Sequence, residues 1–261
     1  MEIIDFHTHI YPRQIAEKAS RSICAFYGLE KYQIGTVERL LESGRPAGIT
    51  RFVMLQVSIK PEQVRHINDF ALHVTQTYPG VFYAFGAIHP EMDDPFGEMD
   101  RLRESGFKGI KMHPDMQRIC IDDPRMYPLY EDMQASGFPI LFHCGDKTRD
   151  YSHPTRLHRV LKRFPHLRCI AAHLGGWSVF DEAYACLKDT DCMVDTCSCS
   201  KYMSREEMTR HIRDYGAERV LFGTDFPIWR HDEEVRAIES LSLTDDEKEK
   251  IFFSNALQLL K

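Results

Sequence analysis

The sequence predicts a (β/α)8 TIM barrel, and three observations carry this prediction. Short apolar runs rich in β-branched and aromatic residues recur eight times, separated by longer stretches with helical spacing. Runs such as Val53-Met54-Leu55 are apolar on both faces, as a covered parallel sheet requires. Polar residues gather at the C-terminal ends of these runs, where barrel enzymes keep their sites. An open doubly wound sheet is the alternative for the same alternation.

The strands and helices alternate along the whole chain. Parallel neighbours need a crossover connection, which is usually a helix, so the alternation implies parallel pairing. The predicted strands lie near 3–6, 51–57, 81–88, 107–112, 139–143, 168–172, 192–196 and 220–224. Helical spacing marks the stretches 61–78, 93–105, 125–136, 153–163 and 205–215.

Several helix ends carry local signals. Pro61 is expected at the first position of its helix. Ser204 with Glu207 resembles a capping box, and Gly137 follows its helix as a C-terminal stop. The stretch 11–49 is longer than one crossover needs, so we expect it to add helices and a loop over the site.

The last segment, 244–261, is predicted to be one final helix. Thr244 is its expected N-cap, and acidic residues occupy the first turn. We therefore expect residues 1–261 to form a single barrel domain, a size that such barrels commonly have.

Composition limits the classes of function. The chain has 261 residues and a net charge of −6, which disfavours nucleic acid as the main partner. No apolar run approaches the roughly 20 residues that span a bilayer, and the N-terminus lacks the pattern of a signal peptide. The eight cysteines include several inside apolar runs, which is typical of buried free thiols. We expect a cytoplasmic protein.

Histidines and acids follow five of the predicted strands. His7 and His9 lie two apart at the end of the first strand, so their side chains point the same way. Neutral imidazole is a common ligand of zinc and similar ions. The other strand-end residues are Lys111, His113, His143, His173 and Asp225.

This ordered set resembles the amidohydrolase superfamily, in the branch called amidohydrolase-related or amidohydrolase 2. That branch holds metal-dependent hydrolases and also decarboxylases of the aminocarboxymuconate-semialdehyde and resorcylate types. The resemblance runs from Asp5-Phe6-His7-Thr8-His9 to Asn255-Ala256-Leu257 and includes Gly223-Thr224-Asp225-Phe226-Pro227. It implies the barrel fold and a metal site, but it does not specify the substrate.

The resemblance also implies roles for individual residues. His7, His9, His143 and Asp225 match metal ligands, and Asp225 matches the carboxylate that can accept a proton from an attacking water. His173 matches a residue that acts on the substrate, or that binds a second ion in two-metal relatives. One zinc ion is expected, and Mn2+ or Fe2+ could occupy the same ligands.

Lys111 has two functional interpretations. It matches the lysine that is carboxylated and bridges two ions in some relatives. It could instead remain an ammonium that binds a substrate carboxylate, which we prefer, and a purely structural ion pair is the third reading. His113, Arg149 and Trp177 are further candidates for substrate binding, since Arg matches carboxylate geometry and Trp177 can form a pocket wall.

The motifs leave two reactions open. The first expectation is hydrolysis of a small lactone, lactam or amide by a metal-activated water. The alternative is non-oxidative decarboxylation of a small aromatic or unsaturated acid on the same metal. A barrel that binds without catalysis is disfavoured because every matched position holds a chemically competent residue. The expected partner is a small, anionic substrate; a homodimer is common for such barrels, but no residue indicates one.

Overall fold

Eight parallel strands lie in sequence order in the computed structural model, which describes residues 2–30 and 32–261. Each strand pairs in parallel with the next. The strands are β1 Ile3–Thr8, β2 Ile49–Leu55, β3 Phe82–Ala87, β4 Gly109–Met112, β5 Ile140–Phe142, β6 Cys169–Ala171, β7 Met193–Asp195 and β8 Val220–Leu221. All eight correspond to the predicted strands.

Backbone hydrogen bonds between β1 and the segment after β8 close the sheet into a ring. The N–H of Asp225 donates to the carbonyl of His7 at 2.9 Å, and the N–H of His9 donates to Phe226 at 2.7 Å. A parallel bridge joins Thr8 to Phe226. The barrel prediction is therefore confirmed, and the open doubly wound sheet is excluded.

Helices surround the barrel and connect its strands. Each lies between consecutive strands except the last three, which follow β8. They are α1 Arg13–Phe26, α2 Val37–Gly44, α3 Val64–Thr77, α4 Pro95–Glu104, α5 Pro114–Gln117, α6 Tyr127–Ser136, α7 Pro154–Arg163, α8 Phe180–Leu187, α9 Arg205–Tyr215, α10 His231–Glu239, α11 Asp245–Glu249 and α12 Asn255–Leu259. No helix in the described ranges is long and apolar enough to cross a membrane.

The apolar side chains form two layers, as alternation along each strand requires. The outer layer packs the strands against the helices and includes Phe52, Ile110 and Val194. The inner layer fills the barrel and includes Ile4 and Phe6. The barrel is therefore a packed core, and its site is restricted to the rim where the strands end.

Most of the predicted helix caps and helix stops are found at the expected residues. Ser204 and Thr244 both form complete capping boxes, and Gly137 ends α6 in the left-handed conformation. Pro61 begins a 3-10 turn, Pro61–Gln63, and α3 starts only at Val64. The insertion after β1 contains α1 and α2, as expected from its length.

The final helix differs from the prediction of one regular helix. Its middle, Lys250–Ser254, is a π-helical turn between α11 and α12. The next residue, Asn255, is buried, and its Nδ2 donates to the carbonyls of Ala217 and Val220 at 2.7 Å each. These two bonds hold the helix to the entry of β8. Periodicity cannot reveal this turn because a single extra residue barely changes the apolar pattern.

We predict that Asn255→Ala lowers the free energy of unfolding by about 2–4 kcal/mol, because two buried carbonyls lose their donor. Urea denaturation of the metal-free protein measures this. Gln258→Ala, on the exposed side of the same helix, is the matched control and should change stability by less than about 0.5 kcal/mol. Equal effects of the two variants would contradict the assigned role of Asn255.

The environment of His231, the first residue of α10, predicts an effect of pH on stability. The imidazole is fully buried, stacks on Phe226 with ring centroids 4.9 Å apart, and lies 2.8 Å from the Ser43 hydroxyl. Burial lowers the pKa of His231 from 6.5 to about 3. The folded protein therefore keeps this ring neutral at pH values where the unfolded chain takes up a proton.

It follows that His231 reduces stability as the pH falls from about 6.5 toward 3, because only the unfolded chain then binds the proton. We predict that the free energy of unfolding of His231→Phe depends less steeply on pH than that of the wild-type protein. The slope should fall by up to about 1.4 kcal/mol per pH unit. Denaturation of metal-free samples at pH 7, 6 and 5 measures the slope. The exposed His166→Gln is the control, and an unchanged slope in His231→Phe would refute the assignment.

Candidate metal centre

Three potential ligand atoms converge at the seam where the barrel closes. Nε2 of His7 and Nε2 of His9 lie 3.6 and 3.5 Å from the same oxygen, Oδ1 of Asp225. The two imidazole rings are 5.2 Å apart with an angle of 72° between their planes. Lone pairs lie in the ring plane, so two inclined rings can direct them at one point. These three residues form a group of suitable size for a metal ion.

The other ring nitrogen of each histidine has a partner that fixes its tautomer. Nδ1 of His7 donates to Oδ2 of Asp195 at 2.7 Å, and Nδ1 of His9 donates to the carbonyl of Leu55 at 2.8 Å. Each Nε2 is then left with a lone pair. Acceptors on the second nitrogen are the usual support for a ligating histidine.

The charge state agrees with this arrangement. Burial, with the neighbouring Lys111, lowers the pKa of His7 to about 4, so its ring is neutral at pH 7. Burial alone would raise the pKa of Asp225, but His7 and His9 beside it hold that pKa well below its usual value. The neutral ring of His7 thus faces an ionised carboxylate.

Asp225 is held in place from its far side. Its backbone is in the left-handed region with φ of 62°, which turns the side chain toward β1. The hydroxyl of Ser198 donates to Oδ2 of Asp225 at 2.7 Å, and the indole N–H of Trp229 donates to that hydroxyl at 2.9 Å. Oδ1 is consequently the oxygen left for the histidines.

Close packing at the seam also limits what can occupy neighbouring positions. A Cβ on Gly223 would lie 2.7 Å from the Cβ of His7 and 3.2 Å from that of Cys197. Only glycine lets these strands approach so closely, and this approach brings Asp225 to His7.

Asp195, at the end of β7, was missed by the sequence reasoning. It accepts from His7 Nδ1, from the backbone N–H of His173 at 2.9 Å and from that of Cys197 at 3.2 Å. Burial would raise the pKa of this carboxyl, but His7 lowers it to about 2. The available signal was its position, since it is an acid directly after the apolar pair Met193-Val194. Asp195 positions His7 and the start of the β6 loop together.

His143 and His173 contact one another at the rim. Nδ1 of His173 lies 3.1 Å from the carbonyl of Cys197, which can only accept, so this nitrogen carries the proton. Nε2 of His173 then accepts from Nδ1 of His143 at 2.9 Å. His143 is thus bonded to His173 and is not part of the group formed by His7, His9 and Asp225. Its role as a ligand stays a prediction.

A second group, His113, Asp115 and His143, also has the size of a metal site. Its two imidazoles stack in parallel, 4.1 Å apart with 6° between the planes. In-plane lone pairs of stacked rings run side by side and do not converge on one ion. Burial raises the pKa of Asp115, which also makes it a poorer ligand. The seam group is therefore the better candidate.

Lys111 points into the barrel near the seam. It is 1% exposed, its Nζ lies 3.5 Å from Nε2 of His7, and burial lowers its pKa. This places it beside the convergent ligand atoms, as either functional interpretation requires. A carboxylated bridge and a substrate-binding ammonium both remain predictions.

The remaining substrate-binding candidates lie around the rim. His113 stacks on His143, and Trp177 lines a narrow space above His143, His173 and Asp225. Arg149 is less available, because its guanidinium pairs with Asp146 at 2.6 Å and packs over the ring of Phe26. The structure brings His113 and Trp177 to the site, whereas Arg149 lies at its edge.

Tyr27, just after α1, is a second residue that the sequence did not reveal. Its hydroxyl lies 2.6 Å from Nε2 of His113, and its ring packs edge-on against Trp177 at 5.1 Å. Burial raises its pKa well above the usual value, so it stays protonated. Because it comes from the insertion after β1, its position depends on tertiary packing alone.

The donor set fits a divalent cation. Two imidazole nitrogens and one carboxylate oxygen are ligands that Zn2+, Mn2+ and Fe2+ share. All three residues come from the closing seam, whose backbone bonds fix their spacing. The chemistry of this group is therefore suited to a divalent metal ion.

Solved structures share this fold. An uncharacterized TIM-barrel protein of Bordetella bronchiseptica has a TM-score of 0.83 at 21% identity, covering 100% of this chain and 98% of that chain. A dihydroxybenzoic acid decarboxylase of a Polaromonas species, with bound manganese and the inhibitor 2-nitroresorcinol, has a TM-score of 0.76 at 18% identity. That match covers 99% of this chain and 96% of the other.

Sequence comparison agrees with the structural likeness. A gamma-resorcylate decarboxylase of a Polaromonas species is 24% identical in an alignment of length 252, and the match covers 77% of this chain and 76% of that protein. A family model described as amidohydrolase matches residues 4–261, nearly the whole chain. The resemblance and the enzyme class predicted from the strand-end motifs are confirmed: the chain belongs to the amidohydrolase family.

Proposed function

We propose that this protein is a decarboxylase of a small aromatic or unsaturated carboxylic acid that depends on one divalent metal ion. The observation that carries the proposal is the convergence of His7 Nε2, His9 Nε2 and Asp225 Oδ1 at the barrel rim. Relatives named as decarboxylases of dihydroxybenzoic acids support the reaction. This was the alternative in the sequence reasoning, and these relatives favour it over hydrolysis.

His7, His9 and Asp225 would hold the ion, with His143 as the further ligand that the family resemblance implies. When bound, such an ion acts as a Lewis acid that binds and orients an anionic substrate. Manganese is bound in the Polaromonas decarboxylase, so we propose Mn2+ ahead of zinc for this chain. The donor set alone suits both ions.

The reaction replaces the carboxylate on a substrate carbon by a proton and releases carbon dioxide. The chain must therefore deliver a proton to that carbon and exclude bulk water. Asp225 and His173, both buried at the rim, are the groups we assign to proton transfer. Trp177 and Tyr27 cover them and keep the site dry, while Asp195 keeps His7 and the His173 backbone in register.

We predict that the double variant His7→Ala with His9→Ala loses bound manganese, because two of the three converging ligands disappear. Equilibrium dialysis against Mn2+ measures the dissociation constant, which should rise by more than about 100-fold. Asp115→Asn is the informative control, since it changes the second group of potential ligands without touching the seam. If Asp115→Asn loses the metal while the double variant retains it, the ion binds between His113, Asp115 and His143. That result would refute the proposed site.

We also predict that the manganese-loaded protein releases carbon dioxide from 2,6-dihydroxybenzoate, and that Asp225→Asn lowers kcat/KM on the order of 1000-fold. Asp181→Asn, on an exposed side chain, should leave turnover unchanged. Circular dichroism checks that both variants fold. Hydrolysis of the lactone dihydrocoumarin without any carbon dioxide release from the acid would refute the decarboxylase.

A further inference from the structure

We propose that Asp5 is a positioning residue for the metal centre. Its carboxylate holds the backbone on both sides of the seam and thereby sets the distance from the ligand atoms of β1 to Asp225. That a metal ion binds here rests on the proposed function, whereas the contacts of Asp5 do not depend on the reaction. None of the hydrogen bonds of Asp5 goes to a converging ligand atom, so its effect on the ion passes through the residues that it holds.

The first observation is that Asp5 holds the end of β1. The register of the pairing between β1 and β2 shifts between Asp5 and Thr8. Within this stretch the backbone N–H of His7 donates to Oδ1 of Asp5 at 3.1 Å. Irregularities of this kind re-aim side chains, and here the residue concerned carries a ligand atom. The carboxylate of Asp5 therefore fixes the peptide unit from which the His7 side chain projects.

The second observation is that the same carboxylate holds the segment after β8. The backbone N–H of Thr224 donates to Oδ1 of Asp5 at 3.0 Å, and the hydroxyl of Thr224 donates to Oδ2 at 2.5 Å. That hydroxyl in turn accepts from the backbone N–H of Phe226 at 3.2 Å. The residues on both sides of Asp225 are thus tied to Asp5, directly or through one hydroxyl.

Asp225 needs this support because of its backbone conformation. Its φ of 62° lies in the left-handed region, which is unfavourable for a residue with a side chain. Such a conformation persists only where the surrounding structure holds it. The bonds at Thr224 and Phe226 fix the chain immediately before and after this residue. Asp5 therefore stabilises the one backbone turn that directs the Asp225 carboxylate at the histidines.

The third observation is that Asp5 is buried without a cationic partner. It is 0% exposed and forms no ion pair with a lysine or arginine of the described chain; the neutral ring of His231 lies 3.5 Å away. Glu98, by contrast, is buried beside Arg101 at 2.7 Å. An apolar residue is often at least as stable as a buried carboxylate. Stability alone does not account for an aspartate here, whereas positioning of the seam does.

Two variants of Asp5 test whether its acceptor oxygens position the ligands. Asp5→Ala removes both oxygens, and the manganese dissociation constant from equilibrium dialysis should rise by about 10- to 100-fold, because supporting groups have effects of this size. Asp5→Asn keeps Oδ1 as an acceptor for both N–H groups and should stay within about threefold of the wild type. The electron paramagnetic resonance spectrum of bound Mn2+ should change in Asp5→Ala and be retained in Asp5→Asn.

Thr224 provides an independent pair of variants. Thr224→Val keeps the shape but removes the hydroxyl that joins Asp5 to the N–H of Phe226, so the manganese dissociation constant should rise about tenfold. Thr224→Ser keeps a hydroxyl and should stay within about twofold of the wild type. Circular dichroism checks that each variant folds, and the Thr224 pair decides the question if Asp5→Ala does not fold.

Asn255→Ala is the matched control for lost stability. It removes buried hydrogen bonds at the first residue of β8, away from the seam, and should leave manganese binding and the resonance spectrum unchanged. The inference is overturned if Asp5→Ala and Thr224→Val bind manganese as tightly as the wild type. It is also overturned if Asn255→Ala weakens binding as much as they do, or if Asp5→Asn and Thr224→Ser bind as weakly as the disruptive variants.

Carbon dioxide release from 2,6-dihydroxybenzoate by the wild-type protein reports on the proposed function separately. If manganese binding responds to Asp5 and Thr224 as expected while no carbon dioxide is released, the result counts against the decarboxylase and supports the role of Asp5. If carbon dioxide is released but Asp5→Ala and Thr224→Val bind manganese normally, the decarboxylase stands and the role of Asp5 is refuted. Wild-type protein that binds no manganese would also refute that role.

Discussion

The backbone bonds that join β1 to the segment after β8 are the constraint on which the rest of the site depends. The N–H of Asp225 donates to the carbonyl of His7, and the N–H of His9 donates to Phe226. The same residues that close the barrel therefore carry the converging ligand atoms. Gly223 permits the close approach, and the left-handed backbone of Asp225 turns its carboxylate inward. The hydrogen bonds that close the barrel therefore also position the ligand atoms of the site.

The fold was largely predictable because its signals are local. Apolar runs identified all eight strands, and side-chain caps such as Thr244 and Ser204 act within a few residues. The convergence of His7, His9 and Asp225 was predictable as well, since strand ends meet at one rim. The π-helical turn before Asn255 was not predictable, because it accompanies contacts with β8 that the apolar periodicity does not encode.

The parts of the site that the sequence did not reveal depend on tertiary packing. Tyr27 reaches His113 only because the insertion after β1 folds back over the rim. Asp195 looks like any strand-end acid until its contacts with His7 and His173 are seen. The role of each of these residues depends on the groups that surround its side chain in the folded protein. Residue spacing in the sequence does not reveal those groups.

The most direct test of this account is a crystal structure of the manganese-loaded protein with anomalous diffraction data collected at the manganese edge. We expect one anomalous peak within coordination distance of His7 Nε2, His9 Nε2 and Asp225 Oδ1. A peak between His113, Asp115 and His143, or none at the seam in protein soaked with excess Mn2+, would contradict it. A second peak beside Lys111 would make the centre binuclear and would contradict the mononuclear site.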